Sequence, residues 1–390
     1  APPTGTKVEC VTFSNVAVTT FEDADGDTKV QVEESSDEDK IRFDTGGTER
    51  VIIDSNGITM SSGTVNGFGL KTFGTHSFLI SEDGTTGTID DAQYNVGFGV
   101  NVFEALTSGD QNTGIGGFAF EALTTGTNNT AVGLNGLRAL TTGTNNTTVG
   151  ALSLRTNTTG ASNTSLGYAA LNANTTASNN VAIGSEALTA NTTGAENTAV
   201  GANSLDANTT GGNLAAVGMH SLGGNTTGNN NSALGHGALL VNSTGSGNTA
   251  VGMASLDANT TADNNVAIGY ASLTSNTTGA TNTSVGALSL QENTTASNNT
   301  GVGYLSLGAN TTGSENVAVG MQSLDANTTG TDNVAIGVNA LDANTTASNN
   351  TAVGKNALGV NTTGTTNTAL GSLAGDAITT GSSNTALGVQ

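Results

Sequence analysis

The chain has no tryptophan, two prolines and only 4 % aromatic residues. With 390 residues it is long enough for several globular domains, but it is too poor in large apolar groups to fill thick cores. A one-dimensional stack of thin layers fits that composition better. The single cysteine, Cys10, rules out an internal disulfide. It reads as a small buried residue rather than a reactive thiol. Cationic residues are also scarce: nine Lys and Arg stand against 31 Asp and Glu, a net charge of −22. A surface of that sign disfavours nucleic acid and anionic membrane. No apolar run approaches the length of a membrane span, so no membrane insertion is expected. Ala1-Pro2-Pro3 lacks the charged start and apolar core of a secretory signal.

What is abundant is repetition. From Asn95 onward a 17-residue unit recurs without insertion or deletion, anchored on glycines from Gly99 and Gly116 through to Gly388. The unit reads Asn-Thr-Ala-Val-Gly-x-x-Ser-Leu-x-Ala-Asn-Thr-Thr-Gly-x-x, as in residues 197–213. A fixed period this short marks a solenoid in which each repeat is one coil. Runs such as Thr198-Ala199-Val200 alternate and read as strands, with Ala199 facing opposite to its neighbours. Gly, Asn and Thr recur too often for helix. The residue before the anchor is apolar in every copy, and Leu or Phe stands four positions after it except at Gly375. Each coil is therefore expected to place about two large apolar groups in a narrow interior. Asn-Thr-Thr-Gly reads as a corner whose asparagine, present from Asn157 to Asn361, accepts a left-handed backbone. A further asparagine column, Asn95, Asn112 and onward, fails only at Leu214. Its members are expected to hydrogen-bond as a ladder. The first and last copies are atypical: Leu106, Leu123, Leu140 and Ile378 replace the corner asparagine. The repeats stop at Gln390 inside a unit, which leaves that end to be covered by another chain or continued.

Residues 1–60 read differently. Alternating runs at 8–11, 28–32, 40–43, 50–53 and 58–60, separated by polar turns, indicate a small N-terminal β module. Residues 61–94 read as a neck, where Phe68, Leu70, Phe73, Phe78, Leu79 and Ile80 are available to seal the first coil. Residues 1–60 hold thirteen acidic residues, and the much longer array 95–390 holds fourteen acidic and three basic ones.

Candidate chemistry is thin. Asp23, Asp25, Asp27 and Glu34 have calcium-loop spacing, but Thr28 occupies the position that needs glycine, so a solvated turn is the better reading. His76, His220 and His236 lack a partner at ligand spacing. No nucleophile motif or phosphate loop occurs. The Asn-Thr-Thr sequons read as turn chemistry. The expectation is a non-enzyme with no catalytic, cofactor-binding or metal site and no cofactor.

The cores Asn-Thr-Ala-Val-Gly (197–201) and Asn-Val-Ala-Ile-Gly (180–184) resemble the head repeats of trimeric autotransporter adhesins of the YadA type. That resemblance, over 95–390, implies a trimer of parallel β-rolls, although the period here is longer at the Asn-Thr-Thr-Gly corner. The phrases Asp-Ala-Asp-Gly-Asp-Thr-Lys-Val-Gln-Val-Glu-Glu (23–34), Asp-Lys-Ile-Arg-Phe-Asp-Thr-Gly-Gly-Thr-Glu-Arg (39–50) and Ile-Asp-Ser-Asn-Gly (53–57) resemble fibre proteins of tailed phages, notably marine ones. Together they lead to an all-β expectation: a parallel β-roll or solenoid of eighteen 17-residue coils, homotrimeric, carried on the small N-terminal β module. The implied role is an external virion fibre contributing to host adhesion. Its partners would be itself, other virion proteins at the N-terminus, and a host receptor or separate tip protein. A bacterial cell-surface adhesin head is the alternative. An ice-binding solenoid is a weaker one, because its paired threonines (Thr192-Thr193 and equivalents) are adjacent rather than alternate and would face opposite sides of a strand.

Overall fold

The computed structural model describes residues 20–22, 24–26, 28–32, 40–45, 48–54, 57–60, 64–65, 68–71, 76–81 and 91–389. Cys10, Asp23, Asp27, Glu34, Phe73 and the expected strand at 8–11 lie outside these. Two compact units meet in sequence between Lys71 and Thr72. No helix occurs among the described residues.

In the first unit, β1 (Thr20–Glu22), β2 (Lys29–Val32), β3 (Ile41–Thr45), β4 (Thr48–Asp54) and β5 (Gly57–Met60) form an antiparallel sheet in chain order. The alternating runs at 28–32, 40–43, 50–53 and 58–60 thus become β2 to β5, each strand hydrogen-bonded to the next in the chain. Ile41 pairs with Ile53, and Phe43 with Val51 and Val30. Ile41 and Phe43 are exposed, whereas Arg42 and Asp44 on the other face are buried, with Asp44 3.8 Å from Lys29. A hairpin of β6 (Thr64–Val65) and β7 (Phe68–Lys71) follows.

The second unit is the repeat array. Its strand β8 (Phe78–Ser81) pairs in parallel with β9 (Val96–Phe98), so the ladder begins before the first full repeat. Seventeen more three-residue strands follow, from β10 (Thr113–Ile115) to β26 (Thr385–Leu387), one per coil and each parallel to the last. The register is constant: Ala182 faces Ala199, and Ala199 faces Ala216. Hydrogen bonds between coils continue outside the strands, as from Leu205 N to Ser221 O at 3.1 Å and Thr209 N to Thr226 O at 3.0 Å. Stacking therefore satisfies most of each coil's backbone, which three-residue strands alone could not do.

Each coil encloses little. In 197–213 the buried residues are Asn197, Ala199, Ser204, Leu205, Asn208 and Gly211. This corrects the expectation of two large apolar groups inside. Leu205 lies in the interior, but Val200 and its counterparts face outward, because a strand that buries Ala199 must turn both neighbours away. The interior volume is conserved by compensation. In the first two coils Phe103 and Phe120 stand where later coils have leucine, stacked at 5.4 Å, and glycine replaces the strand alanine. A Cβ on Gly97 would lie 3.0 Å from Phe103 and 2.6 Å from Leu79.

The anchor glycine is required by both backbone and space. At Gly218 φ is +133°, and a Cβ would sit 2.5 Å from the carbonyl oxygen of Gly235. The corner asparagine needs a different explanation from the one its residue type suggested. Asn208 is not among the left-handed residues; those are Asn203, Leu205 and Asn213 in its coil. Its value lies in the side chain. Asn208 Nδ2 donates to Gly211 O at 3.0 Å, closing its own corner, and to Asn191 Oδ1 at 2.9 Å, joining the coil before. The second column behaves similarly: Asn129 Oδ1 accepts from both the amide and the Nδ2 of Asn146.

Candidate functional site

The residues flanking the anchor glycine build the most distinctive surface of the array. Just before it, Phe98, Leu234 and Leu370 are 51–56 % exposed. Just after it, Tyr168, Met219, Met253, Tyr270 and Tyr304 are 46–53 % exposed. Because the coils stack at a constant period, these positions line up as two columns separated by a column of glycine, the first apolar in every coil and the second mostly so, with Ser185, His236, Lys355 and Ser372 interrupting it. Neither column carries an acidic residue, and Lys355 is the sole permanent charge in them. The acidic groups stand elsewhere on the coil, chiefly five residues after the glycine (Asp206, Asp257, Asp325, Asp342) or eleven to twelve after it (Asp110, Asp263, Glu196, Glu315, Asp332), while Glu186, two residues after Gly184, stands beside the second column. Exposed apolar area continued over this many coils marks an interaction surface.

Partial burial raises the carboxyl pKa of Asp206, Asp325 and Asp342 above the ordinary value, and the charge of Asp342 raises Asp325 further. In the first coils the same column holds Glu121 and Arg138. Arg138 donates to Glu121 and lies over the ring of Phe118, 5.2 Å from its centroid. Asp342 and Asp376 flank a notch of about 260 Å³ left by Gly359, lined also by Asn339 and Asn356. Among the described residues no three His, Cys, Asp or Glu side chains converge as a metal group. Asp25, from the calcium-spaced set, is exposed in a turn.

The structure separates the histidines in a way their spacing did not suggest. His76 stacks on Tyr94 at 5.0 Å. His220 and His236, sixteen residues apart, approach edge-on with ring centroids 6.3 Å apart. A separation one short of the period was the available clue, since it places two positions on adjoining coils next to each other. The threonine pair also divides. Thr192 Oγ1 donates to Thr209 O at 3.0 Å, whereas Thr193 is exposed. Sequence reading also missed a column of small polar residues that accept from the preceding coil's backbone, such as Ser178 Oγ from Ala161 N and Ser348 Oγ from Thr331 N, both at 3.0 Å.

No family model matches this chain, and neither a curated protein nor a solved structure does. No helix among the described residues is long and apolar enough to cross a membrane.

Proposed function

We propose that this chain is a structural and adhesive fibre protein of a virion that works as a homotrimer, with its repeat array projecting outward. Its role is mechanical rather than catalytic. The observation that carries this reading is the pair of exposed apolar columns running along the coils. A partner that covers them over many coils must share their period, and a second copy of this chain does so by construction. With a net charge of −22, copies repel least along such a strip, whose two columns carry no acidic residue. Three copies around an axis would bury it on each chain. The N-terminal sheet supports attachment to other virion proteins, since Ile41 and Phe43 leave its apolar face exposed. The repeated outer surface suits adhesion by many equal weak contacts to a host receptor.

Sedimentation equilibrium of the full chain tests the assembly. Three copies per particle are expected, and a stable monomer at micromolar concentration would sink the proposal. Leu234→Asp with Ile268→Asp should release monomers while the circular dichroism of the coils is unchanged. Virions whose fibre lacks residues 1–60 should lose the array; its retention would reject the attachment role.

A further inference from the structure

His236 stands on the apolar strip, one coil after Met219 and one coil before Met253 in the same column. It is exposed, and its ring meets the edge of His220 at 6.3 Å. His220 is partly buried, and its charge would act on Asp206 of the preceding coil. Asn203 Nδ2, in that coil, donates to Glu186 Oε2 at 3.2 Å. On the far side, Asp257 belongs to the next coil and accepts from Thr274 Oγ1 at 2.5 Å. Asp206 and Glu186 thus stand on the His220 side of the pair and Asp257 on the His236 side, none of them within the strip's two columns. Within the strip, the column neighbours of His236 are uncharged thioethers.

We propose that the His220–His236 pair makes self-association through the strip acid-sensitive. Neutral imidazoles are covered between copies at neutral pH, and their protonation drives the copies apart. This rests on the self-association reading above. Histidine is the side chain that changes charge between pH 5 and 8. A neutral ring can be covered by apolar neighbours, but an imidazolium covered without a partner is costly. Asp206 is placed to compensate His220, whereas His236 stands within the strip between two uncharged column neighbours, Met219 and Met253. Symmetry multiplies the effect, because every copy brings the same ring to the interface. The sign is diagnostic. As the pH falls, the chain's net negative charge shrinks, so mean repulsion between copies declines and association should strengthen on that ground alone. The histidine pair requires the opposite.

Sedimentation equilibrium of the full chain at pH 8 and pH 5.5, with circular dichroism at both, tests this. The wild-type association constant should fall at least ~10-fold at pH 5.5 with the coil signal intact, the equivalent of one unfavourable charge interaction. His236→Met, which continues the column's chemistry, should remove the fall. His236→Lys should associate weakly at both pH values. Equal or tighter wild-type association in acid would overturn the inference, as would an undiminished fall in His236→Met. A fall accompanied by loss of the coil signal would also overturn it, because the fold rather than the face would then have titrated. A wild-type monomer at both pH values would remove the self-association reading itself.

Discussion

Leu205 is fully buried at a φ of +54°, a backbone region that leucine avoids at a cost of about 1–2 kcal/mol. Leu188, Leu222 and Leu239 repeat it, so the array accepts this strain coil after coil. Burying a leucine contributes about 1.5–3 kcal/mol and offsets it, since the left-handed turn is what sends the side chain inward. Glycine at the anchor has no such compensation to lose. Gly218→Ala combines a φ of +133° with a Cβ 2.5 Å from a carbonyl oxygen. It should lower stability by more than about 2 kcal/mol, seen as a fall in the thermal midpoint of the array. A neutral effect would mean that the coils separate more easily than their geometry allows. The glycine was legible in the sequence, because few other residues recur so strictly at a bend. The left-handed leucine was not, because a buried leucine looks the same in a strand, a helix or a turn. Asn208 misled for a related reason: its residue type permits a left-handed turn, but the coil uses its amide instead.

Among the elements, the corner asparagines act as a directed chain. Each later Nδ2 donates to the Oδ1 of the coil before, so Asn259 donates to Asn242 at 2.7 Å and accepts from Asn276 at 3.1 Å. Asn361 donates to Asn344, but its own buried Oδ1 has no partner, because the next rung is Ile378. Asn259→Ala should therefore cost about 1–3 kcal/mol more than Asn361→Ala, as it strands polar groups on both sides. Denaturant unfolding of the two variants checks this, and equal losses would show that the rungs are energetically independent. The ladder was legible from its period, as were the strands and the corner. The orientation of the strands was less so. Alternation in Thr198-Ala199-Val200 says that two faces exist, but a parallel stack with so little side-chain volume inside gives no hydropathic sign of which face is buried. The half-exposed strip therefore became visible only with the fold.

For the whole molecule, acidity acts on stability through the partly buried carboxyls. Asp325 and Asp342 have native pKa values above the ordinary 3.8, so the folded array holds their protons more tightly than the unfolded chain does. Above the native pKa the buried charge subtracts stability. As pH falls through that pKa towards 3.8 the loss is relieved, and below 3.8 both states are protonated and the gain is complete. Asp342→Asn should be more stable than wild type at pH 7 and gain less on acidification to pH 4, because it also frees Asp325 of a like charge. Parallel thermal melts that leave the difference unchanged with pH would contradict the assignment. The unbroken period has a further consequence. Between Asn157 and Asn361 every coil hands its neighbours the same corner partner, so excising or duplicating seventeen residues rejoins that column to its equivalent. The array is in that sense a ruler, graduated in steps of about 4.8 Å, whose reach can be reset by recombination without a new fold having to be found.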